Sequence, residues 1–149
     1  MKATRTWIVI ANGAHARITQ NEGPGKGIKA AMNHEFAAPH APAKAFVADR
    51  PGSYPDRGAL GTHRFAPKTD RREYEKSLFA ADLAVVIDKA AKRKQFDRLV
   101  LVAPPTTLGR LRNAMDAKTR GLVAAEVAKD LTHVPLHALP KHLAHVAAL

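Results

Sequence analysis

The sequence predicts an α/β fold: a single domain whose mixed β-sheet starts with a β-hairpin and is covered by helices. Three observations predict it. Thr6 to Ala11 and Leu99 to Ala103 are continuous apolar runs, the pattern of strands buried on both faces. Asn12-Gly13 follows the first run at once, and both residues tolerate the positive φ of a tight hairpin turn. Between the two runs, Phe79, Leu83, Val86, Ile87 and Ala90 recur at helical spacing. Strands that alternate with helices in this order give a sheet with helices packed on it.

The remaining elements follow in order. Ala14 to Gln20 alternates as a returning strand, with Ala16 and Ile18 on one face. Gly23-Pro24-Gly25-Lys26-Gly27 is a second turn. Ile28 to Ala38 supplies a third strand, although its Ala, Asn and Glu residues are poor strand formers. Pro39 to Arg72 shows neither period and reads as a long basic loop, at about 39–72. Loops beyond about 12–15 residues are uncommon in compact domains unless they are functional or disordered. A helix then runs from about Arg71 to Gln95, with Asp82, Asp88, Lys89, Lys92 and Arg93 on its outer side. Pro104-Pro105 stops the second apolar run, and Thr106 or Thr107 is expected to cap the next helix. That helix buries Leu108, Leu111 and Met115, and its unit ends at Gly121. Leu122 to Val127 is the last strand, and Pro140 to Leu149 a short final helix with Leu143 and Val146 inward.

The chain of 149 residues is expected to be one domain, 1–149, long enough to bury a core without staples. Aromatics make up 5% of it, so that core is aliphatic. There is no cysteine, which excludes disulfides and thiol catalysis and fits a reducing cytoplasm. The run after the basic Met1 to Thr6 is too short for a signal segment or a membrane span, so a cytoplasmic location is expected.

Lysine and arginine number 24 against 13 acids, a net charge of +11 that draws polyanions, nucleic acid first among them. The long loop concentrates Lys44, Arg50, Arg57, Arg64, Lys68, Arg71 and Arg72, with Gly58, Gly61 and His63 between them. Guanidinium forks match phosphate geometry, and glycines let a backbone approach a ligand closely. Tyr54 and Phe65 are able to stack on bases. A second anion site is read at Thr106, Thr107, Gly109 and Arg110, where a strand end meets a helix N-terminus. The Gly-Lys-Ser/Thr ending of a P-loop is missing there. His133 with His137, and His142 with His145, have helical spacing, but Pro135 and Pro140 break the helix that would align them, so no metal site is expected. Neither Ser53 nor Ser77 lies in a nucleophile elbow, and His63 remains the acid–base candidate. No cofactor is expected.

Several blocks resemble successive motifs of the bacterial host attachment family, also described as proteins required for attachment to host cells. They are Thr6-Trp7-Ile8-Val9-Ile10-Ala11-Asn12-Gly13-Ala14-His15-Ala16-Arg17, Asp49-Arg50-Pro51-Gly52 and Phe79-Ala80-Ala81-Asp82-Leu83-Ala84, then Leu99 to Arg112 and Lys129-Asp130-Leu131-Thr132. Asn12 stands where that family's pattern has Asp. The family in turn resembles the middle domain of archaeal and eukaryotic peptide-chain release factors. That resemblance implies the fold and a ribosome or tRNA partner. Gly58-Ala59-Leu60-Gly61-Thr62-His63-Arg64-Phe65 occupies the place of the release-factor loop; Arg64-Phe65 matches, and the catalytic Gly-Gly-Gln does not. The expected role is therefore RNA binding at the ribosome or tRNA through the loop 39–72. Alternatives are direct or indirect attachment to host cells, and a peptidyl-tRNA hydrolase-like activity using His63.

Overall fold

The computed structural model describes residues 4–32, 35–38 and 68–146. Strands β1 (Thr6–Ala11) and β2 (His15–Asn21) form the hairpin, in register from Thr6 opposite Asn21 to Ala11 opposite Ala16. Two short strands, β3 (Lys29–Ala30) and β4 (Phe36–Ala37), pair with the far edge of β2. On the other side β5 (Arg98–Val102) lies parallel to β1, and β6 (Val123–Val127) parallel to β5. The order is β3-β2-β1-β5-β6, with β4 beside β2, a six-stranded mixed sheet of the predicted class.

Helices α1 (Lys68–Lys92), α2 (Pro105–Ala114) and α3 (Ala117–Gly121) precede or follow β5; a 3-10 turn at Leu136–Ala138 leads into α4 (Leu139–Leu143). The sheet is covered on both faces, which is why every residue of β1 is buried. Trp7, Val9 and Ala11 share one face with Leu99 and Leu101, packed under Phe79, Leu83 and Ile87 of α1 and Leu108 and Leu111 of α2. Ile8 and Ile10 face the other way with Val100 and Val102, under Leu131, Leu139 and Leu143. Trp7 also donates from Nε1 to Gln20 Oε1 at 2.9 Å and packs on Phe96, ring centroids 5.0 Å apart.

Five expectations change in detail, the last of them at the final helix. The hairpin turn uses no positive φ at Asn12 or Gly13. Instead, the Asn12 side-chain oxygen accepts from the N–H groups of Ala14 and His15 at 2.9 and 2.8 Å, and Gly13 is suited by its size. A Cβ there would lie 3.0 Å from Cγ and Cδ of Lys76 on α1. The third strand from Ile28 to Ala38 is reduced to β3 and β4, because only two short pieces pair with β2. Neither threonine caps α2. Pro104 is the N-cap with Pro105 in the first turn, where a missing N–H costs nothing, and Thr107 is buried. The unit ending at Gly121 is two helices, since Asp116 caps α3 by accepting from the Thr119 N–H at 2.9 Å.

At its far end α1 closes with the Gln95 N–H on the Ala90 carbonyl and the Lys94 N–H on the Ala91 carbonyl, both 3.0 Å, and Lys94 has φ 55°. The last helix is shorter than expected, Leu139–Leu143, but Leu143 is buried and Val146 packs against the same cluster.

Candidate functional site

Strands β1, β5 and β6 run in one direction, so their carboxyl ends share one edge of the sheet. Arg5, just before β1, bonds to Lys94 and Asp97 after α1, so α1 ends at the opposite, amino edge. The N-terminus of α1 therefore lies at the carboxyl edge, and α2 starts there directly from β5. Two helices point their positive dipole ends at one edge, the place where ligands bind in open α/β sheets. No side chain caps α2, whose first turn is Pro105-Thr106-Thr107.

A side-chain link joins the two helix starts. Arg110 of α2 hydrogen-bonds to Glu73 of α1, holding that carboxyl below the ordinary glutamate range, with Lys76 3.7 Å away on the same carboxylate. Of the first sequence-predicted anion site, Arg71 and Arg72 are thus held near the start of α2 by an Arg110–Glu73 pairing that the sequence did not show. Arg71 and Arg72 are exposed one turn or less from Glu73, and Thr106 is exposed on α2. Gly109 is half-buried, Arg110 is committed to Glu73, and the Thr107 side chain faces the core. Lys68 is the first residue of α1. Arg50, Arg57, Gly58, Gly61, His63 and Arg64 lie outside the described residues, as do Lys44, Tyr54 and Phe65.

Beside this surface the same edge carries a polar knot that sequence reasoning missed. Asn12 donates through Nδ2 to Asp130 at 3.1 Å and Thr132 at 3.2 Å, while Thr132 donates from Oγ1 and N to Asp130 at 2.6 and 3.0 Å. Burial raises the Asp130 carboxyl, but the Thr132 bonds, the Asn12 amide and nearby His133 together hold it below the usual aspartate range. Arg17 on β2 donates from Nη2 to the carbonyls of Leu131, at 3.0 Å, and Val134. The segment after β6 is thereby tied across the hairpin. His133, His137, His142 and His145 are all exposed, and no group of three or more possible metal ligands occurs among the described residues.

The knot explains the amide at position 12. Asn12→Asp keeps the turn acceptor but places a carboxylate against Asp130. We expect a loss of about 1–2 kcal/mol at pH 7 in chemical denaturation. In the parent, the depressed Asp130 contributes stability present above its unfolded pKa and lost as pH falls through the lower folded value. In the variant the deficit should shrink as acid protonates one of the pair. An equal deficit at pH 7 and pH 3.5 would refute the electrostatic account.

Comparison with known proteins adds two findings. The family model described as "protein required for attachment to host cells" matches residues 7–143. A crystal structure of an archaeal translation termination factor, aRF1, is similar with a TM-score of 0.54 and 14% identity, over 92% of this chain and 32% of that one. At that identity the likeness shows the fold alone, and the chain spans about a third of that protein's length. No curated protein matches.

Proposed function

The chain belongs to the family of proteins required for attachment to host cells, and we propose that it works as an RNA-binding module that grips tRNA or the ribosome by the carboxyl edge of its sheet. One observation carries this reading: the starts of α1 and α2, with exposed Arg71, Arg72 and Thr106, converge on one edge of a chain of net charge +11. The helix dipoles and guanidinium groups there suit phosphate, and the basic stretch of sequence ahead of Lys68 leads into the start of α1. Similarity in fold to a termination factor is consistent with a translation partner. Peptidyl-tRNA hydrolysis does not follow, because Leu60, in the place of the release-factor glutamine, has no group to orient a water.

The test is tRNA and ribosome binding by fluorescence anisotropy across a salt series. Affinity should fall linearly on a log–log plot, and Arg71→Ala with Arg72→Ala should reduce the slope by roughly 1–2, about 0.7–0.9 for each phosphate left without its cation. Absence of binding at low ionic strength would end this reading. The family description favours a second one, a direct or indirect part in attachment to host cells. Among the described residues no helix is long and apolar enough to cross a membrane. Adhesion assays with purified protein added to host cells separate a direct effect from an indirect one.

A further inference from the structure

The opposite, amino edge of the sheet is also basic, and it lies apart from the candidate site. Lys92, the last residue of α1, is exposed together with Arg93 and Lys94 that follow it, as are Lys118 and Arg120 on α3. They form one patch, because the elements that carry them are tied together. The Asp116 N–H donates to Asp88 of α1 at 3.2 Å, and Arg120 donates to the Met115 carbonyl at 2.6 Å. Arg5 completes the edge through the Lys94 carbonyl, at 2.6 Å, and Asp97. The Asp116 carboxyl is held low first by its Thr119 bonds and then by the charges of Lys92 and Lys118. Complementing a helix C-terminus takes about half a unit charge, and Lys92, Arg93 and Lys94 supply far more than that.

From this patch we infer that the amino edge is a second RNA-backbone surface, so that one molecule holds two RNA segments at once. The nature of the partner rests on the function proposed above; the surface itself is new. Arg72 and Lys92 lie near opposite ends of α1, about 30 Å apart at 1.5 Å per residue. That is roughly three Debye lengths at 0.1 M salt, so phosphates at one end barely feel the other. The two edges therefore bind independently, and a short duplex seated on one leaves the other open. Because α1 is one continuous helix, the spacing between the two RNA segments is fixed.

The experiment mixes the full chain with two short RNA duplexes, one biotinylated and one fluorescent, and measures fluorescence retained on streptavidin. Wild type should retain it, with retention falling again at excess protein. Lys92→Gln with Arg93→Gln and Lys118→Gln, at unchanged Tm, should still bind a single duplex but lose about tenfold or more of the retention. Arg71→Ala with Arg72→Ala should do the same from the other edge. Wild-type binding of single duplexes without retention would overturn the second surface and leave the first standing. Undiminished retention by the Lys92/Arg93/Lys118 variant would also overturn it, since bridging would then arise from dimers. Undiminished retention by the Arg71/Arg72 variant alone would instead count against the carboxyl-edge reading.

Discussion

Replacing Arg17 by alanine is expected to destabilise the fold by about 3 kcal/mol, a fall of roughly 6–12 °C in Tm for a chain of this size. Arg17 is half-buried on β2, and its Nη2 serves the carbonyls of Leu131 and Val134. Removing the guanidinium leaves the Val134 carbonyl without this donor and the Leu131 carbonyl with the Val134 N–H alone, at 3.1 Å, and it loosens the layer that covers Ile8 and Ile10. The site also carries a cost, because the Nε of Arg17 and the Nε2 of neighbouring His15 are buried with no partner among the described residues, and burial lowers the Arg17 pKa against the pull of Glu35. Arg17→Met keeps the packed stem and deletes the unpartnered donor, so it should cost about half as much. Hydrogen exchange should quicken first at amides of 131–146 in both variants. A change below about 0.5 kcal/mol for the alanine variant would show that the C-terminal layer holds by apolar contact alone.

The second large effect is expected at Leu101→Ala, at about 2–5 kcal/mol. Leu101 is fully buried on β5, between Val9 of β1 and Glu126 of β6, and belongs to the cluster beneath α1 and α2. Hydrogen bonds on both sides of the strand hold the backbone, so the vacated volume closes poorly. Leu78→Ala is the matched comparison. Leu78 is 47% exposed on α1, and its truncation should stay within about 0.5 kcal/mol. Similar losses at the two positions in urea denaturation would contradict the layer arrangement.

The parts of the fold that are legible in the sequence are those with a strong local cause. Six consecutive buried residues make β1 plain, and the 3.6-residue period of Phe79, Leu83, Ile87 and Ala90 makes α1 plain. The period also hides something: Ala80, Ala84 and Ala91 are buried as well, because small residues let α1 lie close to the sheet. The segment 28–38 departs from expectation because an edge strand is defined by its partner, and among the described residues the strand pairing with β2 falls at Thr19–Gln20 and His15–Ala16. Asp116 and Thr119 do carry a capping pattern at the break between α2 and α3, but the continuing apolar period masks it. The candidate site is half legible. Arg71, Arg72, Thr106 and Arg110 announce themselves by residue type, whereas the Asn12–Asp130 bond joins residues 118 positions apart and the Arg110–Glu73 bond joins residues 37 apart. Such meetings follow from strand order, which no local pattern encodes.

The position of β1 has a consequence in time. Its partner on one side, β2, is adjacent in sequence, and hairpins of this kind close in about 1–10 μs. Its partner on the other side is far off: Arg5 and Asp97, which bracket the β1–β5 pairing, are separated by 92 positions. At about 5–20 residues per second, a ribosome making this chain needs roughly 5–18 s to deliver the second partner. Through that interval the open edge of Thr6–Ala11, apolar on both faces, is the part of the nascent chain most prone to pair with the wrong strand. Arrival of β5 closes it, and that event, more than the collapse of any helix, sets when the newborn chain is safe from aggregation.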